Sequence, residues 1–219
     1  MSSQEIKNEQ KLVVLGDSGV GKTCLIDRFI KGSFDNSIGP TDGQSYASKT
    51  ITIPEIGKSI TMGVIDTAGQ ERYRSLLRFV YQGAKMVILV YDITRKETFD
   101  NMKNWWYKDI KEHGDPNIII GIAGNKADEY EKEKVPEHEA REFAESIGAF
   151  FCLTSAQNNS GIDKLFKNVG RKYLDPSYPN IESDIKEQKQ KEESNQKIKI
   201  KLKDVAKKKK KRIPCFGVI

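Results

Sequence analysis

The segment GDSGVGKT, Gly16 to Thr23, lies between two apolar runs, LVVL and CLIDRFI. Its three glycines let the backbone curl until successive N–H groups point inward as an anion nest. A helix starting there adds its positive N-terminal end. The spacing is G-x-x-x-x-G-K-[ST] between a predicted strand and a predicted helix. It makes Ser18, Gly19, Val20, Gly21, Lys22, Thr23 and Cys24 a candidate phosphate cradle. Lys22 would reach the outer phosphates, and the Thr23 hydroxyl would bind Mg²⁺. An ordinary turn needs one or two glycines and no lysine in the bend.

Three further motifs follow, each at the end of an apolar run. DTAGQE begins at Asp66, a carboxylate able to hold Mg²⁺ directly or through water. Gly69 can turn its N–H toward a terminal phosphate because no Cβ blocks the approach. Gln70 can orient an attacking water. GNKAD then offers Asp128, whose carboxylate can accept the N1–H and exocyclic amine of guanine. Adenine presents neither group there, and a buried carboxylate facing it would be left unpaired. Asn125 would brace the loops, and the aliphatic stem of Lys126 would cover the base. Finally TSAQ supplies Ser155, Ala156 and Gln157, whose N–H groups can meet the guanine oxygen. The chemistry such a set could carry is hydrolysis of a GTP γ-phosphate by water, with Lys22 and Mg²⁺ neutralising the developing charge. No strong general base is visible, so turnover is expected to be slow until a partner supplies an arginine.

The elements that must hold these motifs are legible in the hydrophobic pattern. Strands are predicted at 11–16, 47–54, 59–66, 86–92, 117–124 and 150–154, the second and third joined as a hairpin. Helices are predicted at 22–31, 97–113, 137–147 and 161–174. The helix over 97–113 places Phe99, Met102, Trp106 and Ile110 on one side, and Trp105–Trp106 read as packing against the sheet. Alternation of strand and helix predicts an α/β fold of the P-loop NTPase type. Its sheet has six mostly parallel strands, one antiparallel, flanked by about five helices on both faces.

The 219 residues allow one domain with a remainder. No run of about 18 apolar residues suggests a membrane span, and the polar N-terminus lacks a signal-peptide core. Three cysteines at wide spacing argue against disulfides and zinc and for the reducing cytosol. Cys24 and Cys152 read as core residues. Residues 176–219 hold 13 Lys/Arg against 6 Asp/Glu, whereas the rest hold 24 against 25. A near-neutral body argues against a nucleic-acid-binding face. The expected layout is a flexible N-terminus at 1–10, a nucleotide-binding domain at 11–175 and a disordered basic tail at 176–219.

GDSGVGKT, DTAGQERYRS, VYQGA, VILVYDIT and the NW pair at Asn104–Trp105 together resemble the small Ras-like GTPases, and among them the Rab family, over residues 10–174. The resemblance implies a monomeric switch cycling between GTP and GDP in vesicle traffic, with an exchange factor, an activating protein and effectors as partners. It implies that Phe34 stacks on the guanine edge. It also implies that Thr41 binds Mg²⁺ and the γ-phosphate, joining Lys22 and Gln70 in catalysis and Thr23 and Asp66 at the metal. Segments 33–46 and 67–80 would be the two switches. Where Rabs usually show TIGVDF this chain has TDGQSY, with Asp42 in place of an apolar contact and Ile38 where relatives often carry a tyrosine. Of the aromatic triad that effectors read, Tyr46 keeps a ring, while Ile65 and Val80 fill the other places. Gln157 replaces the usual lysine or leucine. The alternatives are a Ras- or Rho-like switch at the plasma membrane and a nucleotide-locked module that never cycles; the presence of Gln70 and Thr41 speaks against the latter.

In the tail, KKKKKR at Lys207–Arg212 suits an anionic lipid surface. Stable anchoring takes a second signal, and Cys215 is the candidate. CFGVI leaves four residues after that cysteine, where a C-a-a-X box has three. Prenylation, palmitoylation and no lipid all stay open. The expected location is the cytoplasm, reversibly attached to the cytosolic face of a membrane.

Overall fold

Two apolar faces on one set of strands dictate the layering. In β1 (Gln10–Leu15), Leu12 to Leu15 are all fully buried, so neither side of the strand meets water. A computed structural model describes residues 9–35, 39, 41, 43–67 and 79–180. Within them β1 is followed by α1 (Lys22–Lys31), β2 (Ser45–Ile53), β3 (Lys58–Asp66) and β4 (Met86–Asp92). Then come α2 (Lys96–Asn101), a π-helical turn (Met102–Trp106), α3 (Tyr107–His113), β5 (Ile119–Asn125), α4 (Glu137–Ser146), β6 (Phe150–Thr154) and α5 (Ile162–Leu174).

The sheet order is β2-β3-β1-β4-β5-β6. β2 and β3 pair antiparallel and every other pair is parallel, as the sequence predicts. Val13, Leu15, Val87, Leu89 and Tyr91 face one layer with Phe99, Met102, Trp106, Ile110, Ala140 and Ala144. The opposite layer is α1 and α5, joined by Phe29 and Phe166 stacked at 3.7 Å. α5 lies close on the strands because Gly121 and Gly170 leave room: a Cβ on Gly170 would sit 2.4 Å from Met62 Cε. The parallel strands all deliver their C-terminal ends to one edge, where ligands bind in open α/β sheets.

Strand bounds fall within about two residues of those expected, the usual uncertainty of element ends. Two expectations need correction. The helix over 97–113 is not one α-helix, since a π turn interrupts it at Met102–Trp106. Nor does the chain leave the domain at Asp175. Tyr178 is only 6% exposed; its ring stacks on Phe150 and lies beneath the Arg171 guanidinium. The Asn180 amide donates to the Gly148 carbonyl at 2.6 Å. A tyrosine that covers an arginine and a phenylalanine holds PSYPN against α5, which composition alone does not reveal. The expected tail from 181 on lies outside the described residues, with Lys207–Arg212 and Cys215, as do most of the expected N-terminal extension and the positions Ile38, Asp42, Gly69 and Gln70. Among the described residues, no helix is long and apolar enough to cross a membrane.

Candidate functional site

The loop after β1 is shaped by exclusion of side chains. Gly16 has φ 149°, and a Cβ there would sit 2.2 Å from the Val90 carbonyl oxygen. Gly21, with φ 90°, would bring a Cβ within 2.5 Å of the Asn125 amide. Both contacts are too short for any other residue, so the loop must lie tight against β4 and β5. Lys22, 5% exposed, donates to the carbonyls of Gly16 and Asp17 at 2.9 Å each. Burial pushes its ammonium down to about 8, against the pull of Asp66 and Asp17. This charged group sits in the bend with only carbonyls to bind, which suits an incoming anion.

Beside it, Thr23 Oγ1 donates to Asp66 Oδ2 at 2.6 Å and lies 2.6 Å from Thr41 Oγ1. The single Thr23 proton is used on Asp66, so Thr41 is the donor to Thr23. Asp66 is 1% exposed, and its buried Oδ1 has no hydrogen-bond partner among the described residues. Burial raises its carboxyl, opposed by the Thr23 hydroxyl and the Lys22 charge. One orphaned carboxylate oxygen and two hydroxyls are the oxygen set a hard cation takes, and they fit Mg²⁺ with phosphate oxygens completing the shell.

The other end of the cleft is built from strand register. Asp92, Asn125 and Thr154 stand side by side at the ends of β4, β5 and β6. The Asn125 amide donates to the Val20 carbonyl at 2.8 Å and its Oδ1 accepts from Thr154 at 3.1 Å, tying phosphate loop to sheet. Lys126, held at φ 65°, places Nζ 2.7 Å from Asp92 Oδ2. Burial raises the Asp92 carboxyl, but Lys126 and Thr94 outweigh it and hold it below its ordinary range. Asp128 Oδ1 accepts from the Ser155 hydroxyl, which in turn accepts from the Asn158 N–H at 3.0 Å. Arg28 reaches across from α1: Nε donates to Ala156 O at 2.7 Å and Nη2 to Gln157 O at 3.2 Å, while the guanidinium lies 5.8 Å over the Phe34 ring.

A cleft of about 450 Å³ joins the two ends, a volume in the range of small-molecule sites. Of the expected site residues, Ser18, Gly19, Gly21, Lys22, Thr23, Cys24, Phe34, Thr41, Asn125, Lys126, Asp128, Ala156 and Gln157 line it. Val20, Asp66 and Ser155 do not, their side chains being buried, so Val20 serves the site through its main chain, Asp66 through its bond from Thr23 and Ser155 through its bond to Asp128. Cys24 is half-buried on the cleft wall rather than in the core, while Cys152 is in the core as expected. It follows Thr23 on the first turn of α1, where the helix faces the cleft. Asp35, Gly39, Thr67 and Glu129 line the cleft without having been singled out.

The family model described as Ras family matches residues 11–175. The chain belongs to the Ras family. Within it the chain is 45% identical to human Ras-related protein Rab-22A over 165 residues, covering 75% of this chain and 83% of that protein. It is 42% identical to human Ras-related protein Rab-31 over 184 residues, 83% and 92% of the two chains. It is 41% identical to Ras-related protein RABA2d of Arabidopsis thaliana over 159 residues, 73% and 72% of the two. This Rab-like chain is therefore a GTPase, a guanine-nucleotide switch that regulates vesicle traffic and meets exchange factors, activating proteins and effectors.

Sequence reasoning missed several supports of this Rab-like site. Asp92 ends an apolar strand at the ligand edge, a signal that was available in VYDIT. Arg28 looks like any exposed helix arginine. The Asp17 carboxylate accepts from Trp106 Nε1 at 2.8 Å and from Asn101 Nδ2 at 2.7 Å, pairings 89 and 84 residues apart that no local pattern reveals.

Proposed function

We propose that this Rab-like chain grips GTP and GDP with a magnesium-dependent phosphate end and a guanine-selective base end, in a domain that runs from β1 on to Asn180. The observation that carries the reading is the buried, unpartnered Oδ1 of Asp66 beside the hydroxyls of Thr23 and Thr41. Mg²⁺ held there neutralises charge on the phosphates. Lys22 exchanges its two carbonyl partners for phosphate oxygens, and the amides from Ser18 to Cys24 close around them. Asp128 selects guanine, Ser155 orients that carboxylate, and Lys126 and Phe34 cover the base. Asn125 braces the loops, and main-chain N–H groups at Ala156 and Gln157 meet the purine oxygen. Gly69 contacts the γ-phosphate and Gln70 orients water. Loss of the γ-phosphate releases Thr41 and Gly69, so partners read the nucleotide through segments 33–46 and 67–80.

The basic tail brings the monomer to the cytosolic face of a membrane, with lipid on Cys215 as the second signal. A Cys215→Ser variant that keeps its membrane signal in cells refutes the anchor. The magnesium claim is tested by GDP release with and without a chelator. Chelation should speed release from the parent about 100-fold, the loss of a buried charge partner. It should have little effect on Asp66→Asn, and equal parent rates with and without chelator refute the claim.

A further inference from the structure

The phosphate loop carries an acid. Asp17 stands between Gly16 and the amides of the anion nest, where a free carboxylate opposes a triphosphate. Its side chain is 8% exposed yet does not line the cleft, although its neighbour Ser18 does. Two donors account for this. Trp106 Nε1 takes one carboxylate oxygen at 2.8 Å and Asn101 Nδ2 takes the other at 2.7 Å. From the start of the same helix, Arg95 Nη2 holds the Ser18 carbonyl at 3.1 Å.

The π turn is what brings the two donors together. Asn101 and Trp106 are five residues apart, which in an α-helix leaves them about 140° apart around the axis. An i→i+5 turn places such residues nearly above one another. That turn runs Met102–Trp106, with the Tyr107 N–H donating to the Met102 carbonyl five residues back. An irregularity in the helix therefore has a ligand-side consequence, as π turns often do.

We infer that Asn101 and Trp106 are positioning residues for nucleotide binding, pinning the Asp17 carboxylate away from the cleft so that it cannot compete with phosphate for Lys22. The competition is close at hand. Lys22 Nζ already bonds the Asp17 carbonyl at 2.9 Å, and the Asp17 charge acts on that ammonium. Unpinned, the buried carboxylate must find a new donor, and the Lys22 ammonium, on which its charge already acts, is a strong one.

This inference rests on the proposed role of Lys22, and the experiment separates the two. Affinity and release of a fluorescent GDP analogue are measured under magnesium on the full chain, on Trp106→Phe and Asn101→Ala, and on each in an Asp17→Asn background. Each single variant should bind about tenfold more weakly, the loss of one hydrogen bond to a charged group. In the Asp17→Asn background the penalty should shrink to less than about twofold, because a neutral amide oxygen competes for an ammonium far more weakly than a carboxylate. Asn101→Ala removes no core packing, so it carries the test if thermal melting shows that Trp106→Phe does not fold. Penalties of the same size in both backgrounds reduce the two residues to packing and overturn the inference, as does binding unchanged by either single variant. A parent that binds no guanine nucleotide overturns the underlying reading and the inference with it.

Discussion

The two ends of the cleft are finished to different degrees. At the base end nearly every polar group already has a protein partner: Asp128 has Ser155, Lys126 has Asp92, Asn125 has Val20 and Thr154, and the carbonyls of Ala156 and Gln157 have Arg28. At the phosphate end Asp66 Oδ1 has none, and the Lys22 ammonium is pushed down to about 8 by burial. A preformed surface discriminates, since it presents fixed donors and acceptors to whichever purine arrives. An unfinished one supplies affinity, since the ligand satisfies groups that are otherwise costly to bury. On the proposed reading the switch belongs to the unfinished end, which holds Thr41.

The largest effect should come from the unfinished end. Lys22→Met should weaken GDP and GTP alike, on the order of 10³-fold, by leaving the phosphates without their buried cation. Equal affinity by calorimetry would break the contrast. Asp128→Ala should act on choice rather than grip, lowering the preference for GDP over ADP by about 10²-fold through two lost charge-assisted hydrogen bonds. Competition binding reads this directly, and an unchanged ratio would mean that the base end does not discriminate. Next in size is pH. With its ammonium lowered to about 8, Lys22 in the free protein is half deprotonated near pH 8, and above that pH binding takes up the proton that the phosphates require. GDP affinity should fall with rising pH by up to about tenfold per unit, the slope for one proton. Lys22→Met should lack that slope. The smallest effect is expected at Arg28→Ala, which loosens a loop already held by Ser155 and Asn158. GDP release should quicken about threefold to tenfold in stopped flow, the scale of one or two hydrogen bonds.

How much of this was readable before the structure divides by distance along the chain. The phosphate loop is local: Gly16 to Thr23 is one contiguous segment, and its backbone demands and its lysine announce themselves together. Strands β1 to β6 were legible because apolar runs between glycine- and asparagine-rich turns leave little choice, and α5 because Ile162, Leu165, Phe166 and Val169 repeat at helical spacing. What stayed hidden is long-range. Arg28 binds carbonyls 128 and 129 residues away, and Trp106 reaches a carboxylate 89 residues back. Asp92 and Asn125 become neighbours only through the register of β4 on β5. The π turn leaves no mark in the apolar pattern, because the buried residues Phe99, Met102, Trp106 and Ile110 run across it at the three- and four-residue spacings of an ordinary helix.

The central claim is that main-chain amides, Lys22 and a metal at Asp66 grip a nucleotide whose base Asp128 chooses. It is met most directly by purifying the full chain under magnesium, denaturing it and identifying the released nucleotide by chromatography, with a parallel preparation washed in chelator. The account predicts about one GDP or GTP per chain under magnesium and little after chelation, as expected for a ligand held through its metal. Adenine nucleotide, or protein that neither retains nor takes up guanine nucleotide with magnesium present, would contradict it.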